Sequence, residues 1–313
     1  MPKTSKPKAG SLQYWPRKRA ERILPNVNWK AIKKADAGLM GFIGYKVGMC
    51  SAYVKDDTAD SMTKGKKIVI PATILECPGL KIYSVRFYKN GKVMKDVIVS
   101  NDKDLKRVVS VPKQVGKIDD VKGFDDVRVL VYSVVSDTNI QKTPHMIEIA
   151  ISGNLEQKMN FVKEKIGKKM SVSDVFSKGM LDVRGVTTGY GLQGPVKRFG
   201  ISLKSHKSEK GVRRPGSLAP WHPARVTFVT AMAGQEGFFT RVVYNNLILK
   251  IGKIAENNIN KKGGFKHFGE IKTDYIIVKG SVQGPEKRVL LMTAPLRPSK
   301  MITKQKLELI ELR

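Results

Sequence analysis

The residues of this sequence that could do chemistry are mostly cations and aromatic side chains, and several lie in one short segment. Pro220-Trp221-His222-Pro223-Ala224-Arg225 places an indole between two prolines at the end of a basic stretch. Proline restricts the backbone, so we expect a stiff tip. Trp221 could stack on a base, and His222 or Arg225 could reach a phosphate or a base edge. The alternative is that Trp221 anchors the stretch on the protein core.

A glycine-rich motif precedes this segment and has the GxGxxG spacing of dinucleotide sites, Gly189-Tyr190-Gly191-Leu192-Gln193-Gly194. Pro195 and a basic stretch follow it, where a dinucleotide fold needs a helix, and the acidic residue expected about twenty positions later would be Glu209, among lysines. We therefore interpret the glycines as positions where the backbone can approach another backbone closely, beside cations that hold phosphates.

The other reactive residue types indicate neither catalysis nor a metal site. The four histidines are far apart and lack metal-ligand spacing or a nucleophile partner. Cys50 and Cys77 lie in apolar, strand-like runs, which is typical of buried reduced thiols. We predict that the protein is not an enzyme and uses no cofactor or metal site of its own. If its partner is RNA, ions such as magnesium could still bridge the protein and the phosphates at that interface.

The distribution of charge points to a polyanionic partner. The chain has 313 residues, with 58 Lys plus Arg against 27 Asp plus Glu and a net charge of +31. Residues 1–35 contain ten basic residues and one acid, and residues 196–225 contain eight and one, whereas residues 36–180 contain 24 and 17. Both basic stretches are poor in apolar residues and repel themselves. A phosphate backbone would neutralise them and release counterions.

The candidate RNA-binding residues combine these cations with aromatic or glycine neighbours. Tyr14 and Trp15 precede a run of cations, which suits base stacking beside phosphate contact, with a staple on the protein's own core as the alternative. In the arm we assign Tyr14, Trp15, Arg17, Lys18 and Arg19. Later in the chain we assign Gly189, Gly191, Gly194, Lys197, Arg198, Lys204, His206, Lys207, Lys210, Arg213, Arg214, Trp221, His222 and Arg225.

The elements that must position these residues are mainly strands. Glycines recur at short intervals within strand-like runs, which is typical of bulges and bends in a small closed barrel. The intervening stretch has a hairpin signal at Asn90-Gly91 and a helix cap at Asn154. We expect a mainly β protein, with an extended basic arm (1–36), a closed β-barrel core (37–81 plus 181–313) carrying a long basic loop (196–225), and an α+β insertion (82–180).

No run approaches the about 18 apolar residues that a membrane span requires, and no apolar segment follows the basic N-terminus as in a secretion signal. We therefore expect a soluble protein that is not exported.

Longer segments of the chain resemble a known family. They are GFIGYKVGM (41–49), DVRGVTTGYGLQGPVKRFG (182–200), PWHPARV (220–226), AGQEGFFTRVVYNN (233–246) and IIVKGSVQGPEKRVLLMTAPLRP (276–298). Through them nearly the whole chain is similar to the universal large-subunit ribosomal protein L3 family, in its archaeal and eukaryotic form. One departure is that relatives carry lysines where this chain has Thr188 and Tyr190, so phosphate contacts are not expected there and Tyr190 could stack instead.

The resemblance implies a translation-factor-like β-barrel with an α+β insertion, and an arm and loop that penetrate ribosomal RNA. It implies a structural constituent of the large subunit that binds the three-prime domain of the rRNA, takes part in assembly and directs the Trp221 tip toward the peptidyl transferase region. Implied partners are rRNA and the neighbouring ribosomal proteins L-fourteen, L-thirteen and the L-twenty-four-e type, in the cytoplasm, with no membrane and no small-molecule substrate. A free nucleic-acid-binding chaperone, or a nucleic-acid enzyme of the barrel type, remains the alternative.

Overall fold

The computed structural model describes residues 11–34, 36–118, 121–138, 140–208 and 210–313. Within them strands far outnumber helices, which confirms the mainly β expectation. The strands are β1 (Gly38–Leu39), β2 (Gly41–Asp56), β3 (Lys67–Cys77), β4 (Leu80–Lys89), β5 (Lys92–Ile98), β6 (Asp126–Ser133), β7 (Met146–Ser152), β8 (Met180–Val186), β9 (Gly189–Gln193), β10 (Gly234–Gly237), β11 (Thr240–Lys253), β12 (Asp274–Lys279), β13 (Val289–Thr293) and β14 (Leu307–Leu312). The α-helices are α1 (Leu155–Lys165), α2 (Pro195–Phe199) and α3 (Lys300–Thr303), and no described helix is long and apolar enough to cross a bilayer.

The chain divides into two compact units. The first unit comprises the described residues of 1–22 and 186–240, and the second comprises 23–185 and 241–313. The first unit holds the two-stranded sheet of β9 and β10, together with all of the predicted RNA-binding residues. The second unit holds the two larger sheets and the apolar core.

A seven-stranded sheet in the second unit has the order β13-β8-β11-β12-β3-β2-β14, and β13 also pairs with β2. The long strand β2 makes this possible, because its first residues pair with β13, its last residues pair with β14, and its other edge pairs with β3. Gly41, at the start of β2, has no room for a side chain, since a Cβ there would lie 2.9 Å from the Trp29 ring and 3.0 Å from the Met292 carbonyl oxygen.

The second sheet of this unit has the order β1-β7-β6-β4-β5. Strands β4 and β5 pair as an antiparallel hairpin around Asn90 and Gly91, as predicted, and both turn residues have positive φ. The predicted Asn154 cap is also confirmed, because Asn154 and Gln157 form a capping box at the start of α1. Helix α1 contributes Val162 to the core, where it is fully buried.

Part of the predicted arm belongs to the second unit. Leu24, Trp29 and Ile32 are buried in its core, and the Trp29 indole Nε1 donates a hydrogen bond to the Glu148 carbonyl oxygen at 3.1 Å. The prolines of this segment prevent a long helix, but its apolar residues still bury their surface. Residues 1–10 and Ala35, which complete the predicted arm, lie outside the described residues.

A buried polar cluster joins β2 and the strands of the second sheet. The Tyr45 hydroxyl lies 2.8 Å from Ser133 Oγ and 2.9 Å from His145 Nδ1, and Gln141 Nε2 donates to the same His145 nitrogen at 2.9 Å. Because Nδ1 accepts hydrogen bonds, the imidazole is neutral. Burial, with a smaller contribution from Arg288, lowers the pKa of His145 to about 4.

This cluster predicts a loss of stability at acidic pH. The pKa of His145 is lower in the folded chain than the value of about 6.5 expected in the unfolded chain, so protonation favours unfolding. We expect this group's contribution of about 2–3 kcal/mol to be present above pH ~6.5 and lost as the pH falls toward ~4. Urea unfolding across this range should show a shallower pH dependence for His145→Gln than for the wild type, and equal dependence would contradict the assignment.

Candidate nucleic-acid interface

The basic loop of the first unit starts and ends on a two-stranded ribbon. Strands β9 and β10 pair antiparallel, with Gln193 opposite Gly234 and Gly189 opposite Gly237. The connection between them is residues 194–233, which contain the predicted loop 196–225. A bulge separates Glu236 from Gly237. Both ends of the loop are therefore held at the same place.

The predicted close backbone approach occurs in this ribbon, but at a glycine that the sequence did not single out. Gly237 has a φ of 70°, and a Cβ on it would collide with the Thr188 carbonyl oxygen. Of the assigned glycines, Gly191 has a positive φ in open space, Gly189 meets the Phe238 side chain, and Gly194 has nothing within 4 Å. The repeated glycines were a usable signal for the ribbon, although not for which glycine is tightest.

We expect Gly237→Ala to open this ribbon. The new methyl group would collide with backbone, and its φ would be strained, so a local loss of about 2 kcal/mol or more is expected. Hydrogen exchange of the β9 and β10 amides should accelerate strongly. Gly194→Ala is the matched control, because its φ of −74° is ordinary and the space around it is open, so it should leave exchange almost unchanged. Similar exchange in the two variants would contradict this account of the ribbon.

A short helix follows the glycine motif, contrary to the sequence-based expectation. Helix α2 begins at Pro195 directly after Gly194 and ends before Gly200, which has a φ of 63°. Proline is compatible with the first position of a helix, and glycine suits the left-handed residue that ends it. Pro195 therefore does not exclude a helix here, and the sequence-based prediction was wrong on this point. The helix has five residues and carries Lys197 and Arg198.

Trp15 of the arm packs within the first unit rather than facing solvent. Its ring stacks on Phe199, with centroids 6.1 Å apart, and meets Phe228 edge-on at 5.6 Å. The Arg17 guanidinium lies 4.4 Å from the Phe199 ring centroid and donates a hydrogen bond to the Arg198 carbonyl oxygen at 3.1 Å. These contacts favour the staple interpretation of Trp15. The sequence did not identify Phe199 or Phe228, because contacts across so many residues leave no local pattern.

Arg198 fixes the loop to the ribbon. Its Nε donates to the Gln235 carbonyl oxygen at 2.9 Å, and its Nη1 donates to the Met232 carbonyl oxygen at 3.0 Å. Burial first, and then the neighbouring Arg17 charge, lower the pKa of Arg198, which remains a cation at any ordinary pH. Two guanidinium groups thus lie close together, and their shared charge favours an anion nearby.

The remaining assigned side chains face solvent. Trp221 is 88% exposed and contacts the His222 ring edge-on, so it does not anchor the loop on a core. Lys197 Nζ lies 4.9 Å from the Tyr190 ring centroid, and Lys18 forms an exposed ion pair with Glu21. The exposed assigned side chains are Tyr14, Lys18, Arg19, Lys197, Lys204, His206, Lys207, Lys210, Arg213, Arg214, Trp221, His222 and Arg225.

The first unit therefore presents two kinds of cation. Arg17 and Arg198 are bound to backbone carbonyls and aromatic rings, whereas the other assigned loop cations are exposed and available to a partner. Exposed lysines and arginines beside an exposed indole can hold phosphates and stack on a base, and need no catalytic group to do so.

Comparisons with known proteins identify the family to which this chain belongs. The family model described as "Ribosomal protein L3" matches residues 1–103 and 92–313. The "Large ribosomal subunit protein uL3" of Methanocaldococcus jannaschii is 37% identical, over 96% of this chain and 94% of that protein. The protein of the same name from Archaeoglobus fulgidus is 39% identical, over 95% of this chain and 94% of its own length. Because the family model and these relatives span nearly the entire sequence, the chain belongs to the ribosomal protein L3 family.

Proposed function

We propose that this chain is a structural, non-catalytic constituent of the large subunit of the cytoplasmic ribosome, where it binds and organises large-subunit rRNA. The observation that carries the proposal is the group of exposed loop cations held on the β9–β10 ribbon, in a chain whose relatives are large-subunit proteins. Each cation that meets a phosphate releases counterions, which gives affinity without base selection.

The loop supplies this binding through two groups of residues with different tasks. The ends of the loop are held by Arg17, Arg198 and the Trp15 ring. The loop segment that carries the exposed cations is therefore fixed at both ends. The exposed cations neutralise the phosphates of an rRNA segment. The loop lies along the surface of the folded RNA and so recognises its shape.

The tip of the loop is proposed to reach toward the peptidyl transferase region. Trp221 is the exposed ring there, His222 and Arg225 flank it, and stacking on a base would bury the indole that the protein leaves in solvent. Binding to the three-prime domain of the rRNA early in assembly, beside ribosomal proteins L-fourteen, L-thirteen and the L-twenty-four-e type, belongs to the same proposal.

The strand pairings support a closed barrel as the body that carries these parts. Following the order from β13 through β8, β11, β12 and β3 to β2 leads back to β13, because β2 and β13 are also paired. We propose that residues 37–81 and 181–313 form this barrel, which carries the loop 196–225, and that residues 82–180 are its α+β insertion.

Sedimentation of a cell extract tests the function. The chain should migrate with large subunits and remain with them after a high-salt wash, because many phosphate contacts and a folded RNA surround it. A chain that sediments free of subunits, or that leaves them in the wash while other large-subunit proteins stay, would instead support the free chaperone or nucleic-acid enzyme.

A further inference from the structure

The second unit has exposed cations of its own, at the turn of the β4–β5 hairpin. Lys89 ends β4, Lys92 begins β5, and the two are direct partners across the hairpin. Both side chains are exposed. Like charges that face each other across two strands destabilise the pair. The hairpin therefore keeps a repulsion that an anion at the turn would relieve.

The segment that precedes the barrel brings a third ammonium group to this turn. Trp29 is buried, with 5% of its surface exposed, and holds the short helical turn that carries Lys30. Lys30 Nζ lies 3.6 Å from the position that a Cβ would occupy on Gly91. Lys30 is exposed. Because Gly91 has no side chain, the Lys30 ammonium group lies directly over the backbone of the turn.

The acidic groups around the turn do not neutralise these lysines. Asp125 accepts a hydrogen bond from the Asn90 backbone N–H at 2.7 Å, which fixes the turn. Asp96 pairs with Arg86, and Asp126 pairs with Lys158. In the part of the chain that the structure describes, Lys30, Lys89 and Lys92 form no ion pair. Among the described residues, three exposed lysines thus lie at a turn whose backbone is hydrogen-bonded by one carboxylate, that of Asp125.

We infer that Lys30, Lys89 and Lys92 form a phosphate-binding cluster that contacts an rRNA backbone segment in addition to those bound by the first unit. The inference rests on the proposed function, because it takes rRNA as the polyanion. Lysine is a compact point charge that suits phosphate oxygens. The cluster has no arginine that could form two parallel hydrogen bonds to a base and no aromatic ring that could stack on one. It therefore binds the RNA phosphate backbone without selecting bases.

The test compares two triple variants of the full chain with equal loss of charge. One is Lys30→Gln, Lys89→Gln and Lys92→Gln, and its matched control is Lys64→Gln, Lys66→Gln and Lys67→Gln, which are exposed lysines around the start of β3. Binding to transcribed large-subunit rRNA is measured against salt. We expect the slope of log affinity against log salt to weaken by about 2–3 in the cluster variant, and affinity at about 0.15 M salt to fall about 50–150-fold. The control should lose less than a third of that slope change.

Two further measurements separate the outcomes. Thermal melting without RNA should place the cluster variant at or above the wild-type Tm, because the Lys89–Lys92 repulsion is removed. Equal losses of RNA affinity in the cluster variant and its control would overturn the inference. An unchanged salt slope for RNA, together with weaker binding of the cluster variant to an acidic protein, would also overturn it, because the lysines would then contact a protein and not RNA. A variant of the first-unit loop is measured in parallel. If the salt slope weakens in the loop variant and not in the cluster variant, the inference about the cluster is rejected and the proposed function stands. If the slope is unchanged in both variants, the proposed function is rejected.

Discussion

Replacing six exposed loop cations with glutamine is expected to lower the affinity for large-subunit rRNA by about 10³–10⁴-fold at about 0.15 M salt. The substitutions are Lys204→Gln, Lys207→Gln, Lys210→Gln, Arg213→Gln, Arg214→Gln and Arg225→Gln, all at side chains that face solvent. Each lost phosphate contact removes about 0.7–0.9 from the slope of log affinity against log salt, so the six together should weaken it by about 4–5.

The measurement is a salt titration of binding by fluorescence anisotropy, with the same RNA for every protein. If about ten cations of the arm and loop contact phosphates, the wild-type slope should be about −7 to −9. Six exposed lysines of the second unit, replaced in the same way, control for the change in net charge: Lys64, Lys66, Lys67, Lys142, Lys168 and Lys178. A wild-type slope weaker than about −3, or an equal loss in the control, would reject the loop as the main binding element.

Trp221→Ala is expected to leave the free protein as stable as the wild type while impairing ribosomes that carry it. The indole is 88% exposed, so its removal should change the free energy of unfolding by less than about 0.5 kcal/mol. Loss of one base stack of about 1–3 kcal/mol would weaken positioning at the tip by about 5–150-fold. Peptidyl transfer and tRNA accommodation, measured on purified variant ribosomes, should slow accordingly.

Trp15→Ala provides the contrasting variant. Because its ring packs against Phe199 and Phe228, its removal should lower the thermal stability of the first unit. If Trp221→Ala instead destabilised the free protein by several kcal/mol and Trp15→Ala did not, the assignment of tip and staple would be reversed.

The sequence predicts those features of this chain that depend on neighbouring residues. The Asn90-Gly91 hairpin and the Asn154 cap each follow from a few adjacent side chains, and both are found. The two basic windows are also local properties, and their assigned cations are exposed apart from Arg17 and Arg198. Turn chemistry, capping and charge density act over short distances along the chain, so they can be recognised without tertiary contacts.

The features that the sequence does not predict depend on residues distant along the chain. Arg17 donates to the Arg198 carbonyl oxygen across 181 residues, and Trp15 meets Phe199 and Phe228. The charge pattern alone predicts that the arm and the loop make few contacts of their own. The contacts of Arg17 and Trp15 show that part of the arm packs against part of the loop. Apolar contacts add up over area regardless of sequence distance, which is why Leu24 and Trp29 are buried in a segment rich in prolines and lysines.

The pairing of Gln193 with Gly234 has a consequence for how this loop can evolve. Its two ends leave the ribbon side by side, so residues inserted between them extend its reach without moving either end. For a flexible segment, each doubling of length costs only about 0.6 kcal/mol of closure entropy. A longer or shorter loop between Gln193 and Gly234 therefore costs little free energy, and the strands that hold its ends need not change their pairing.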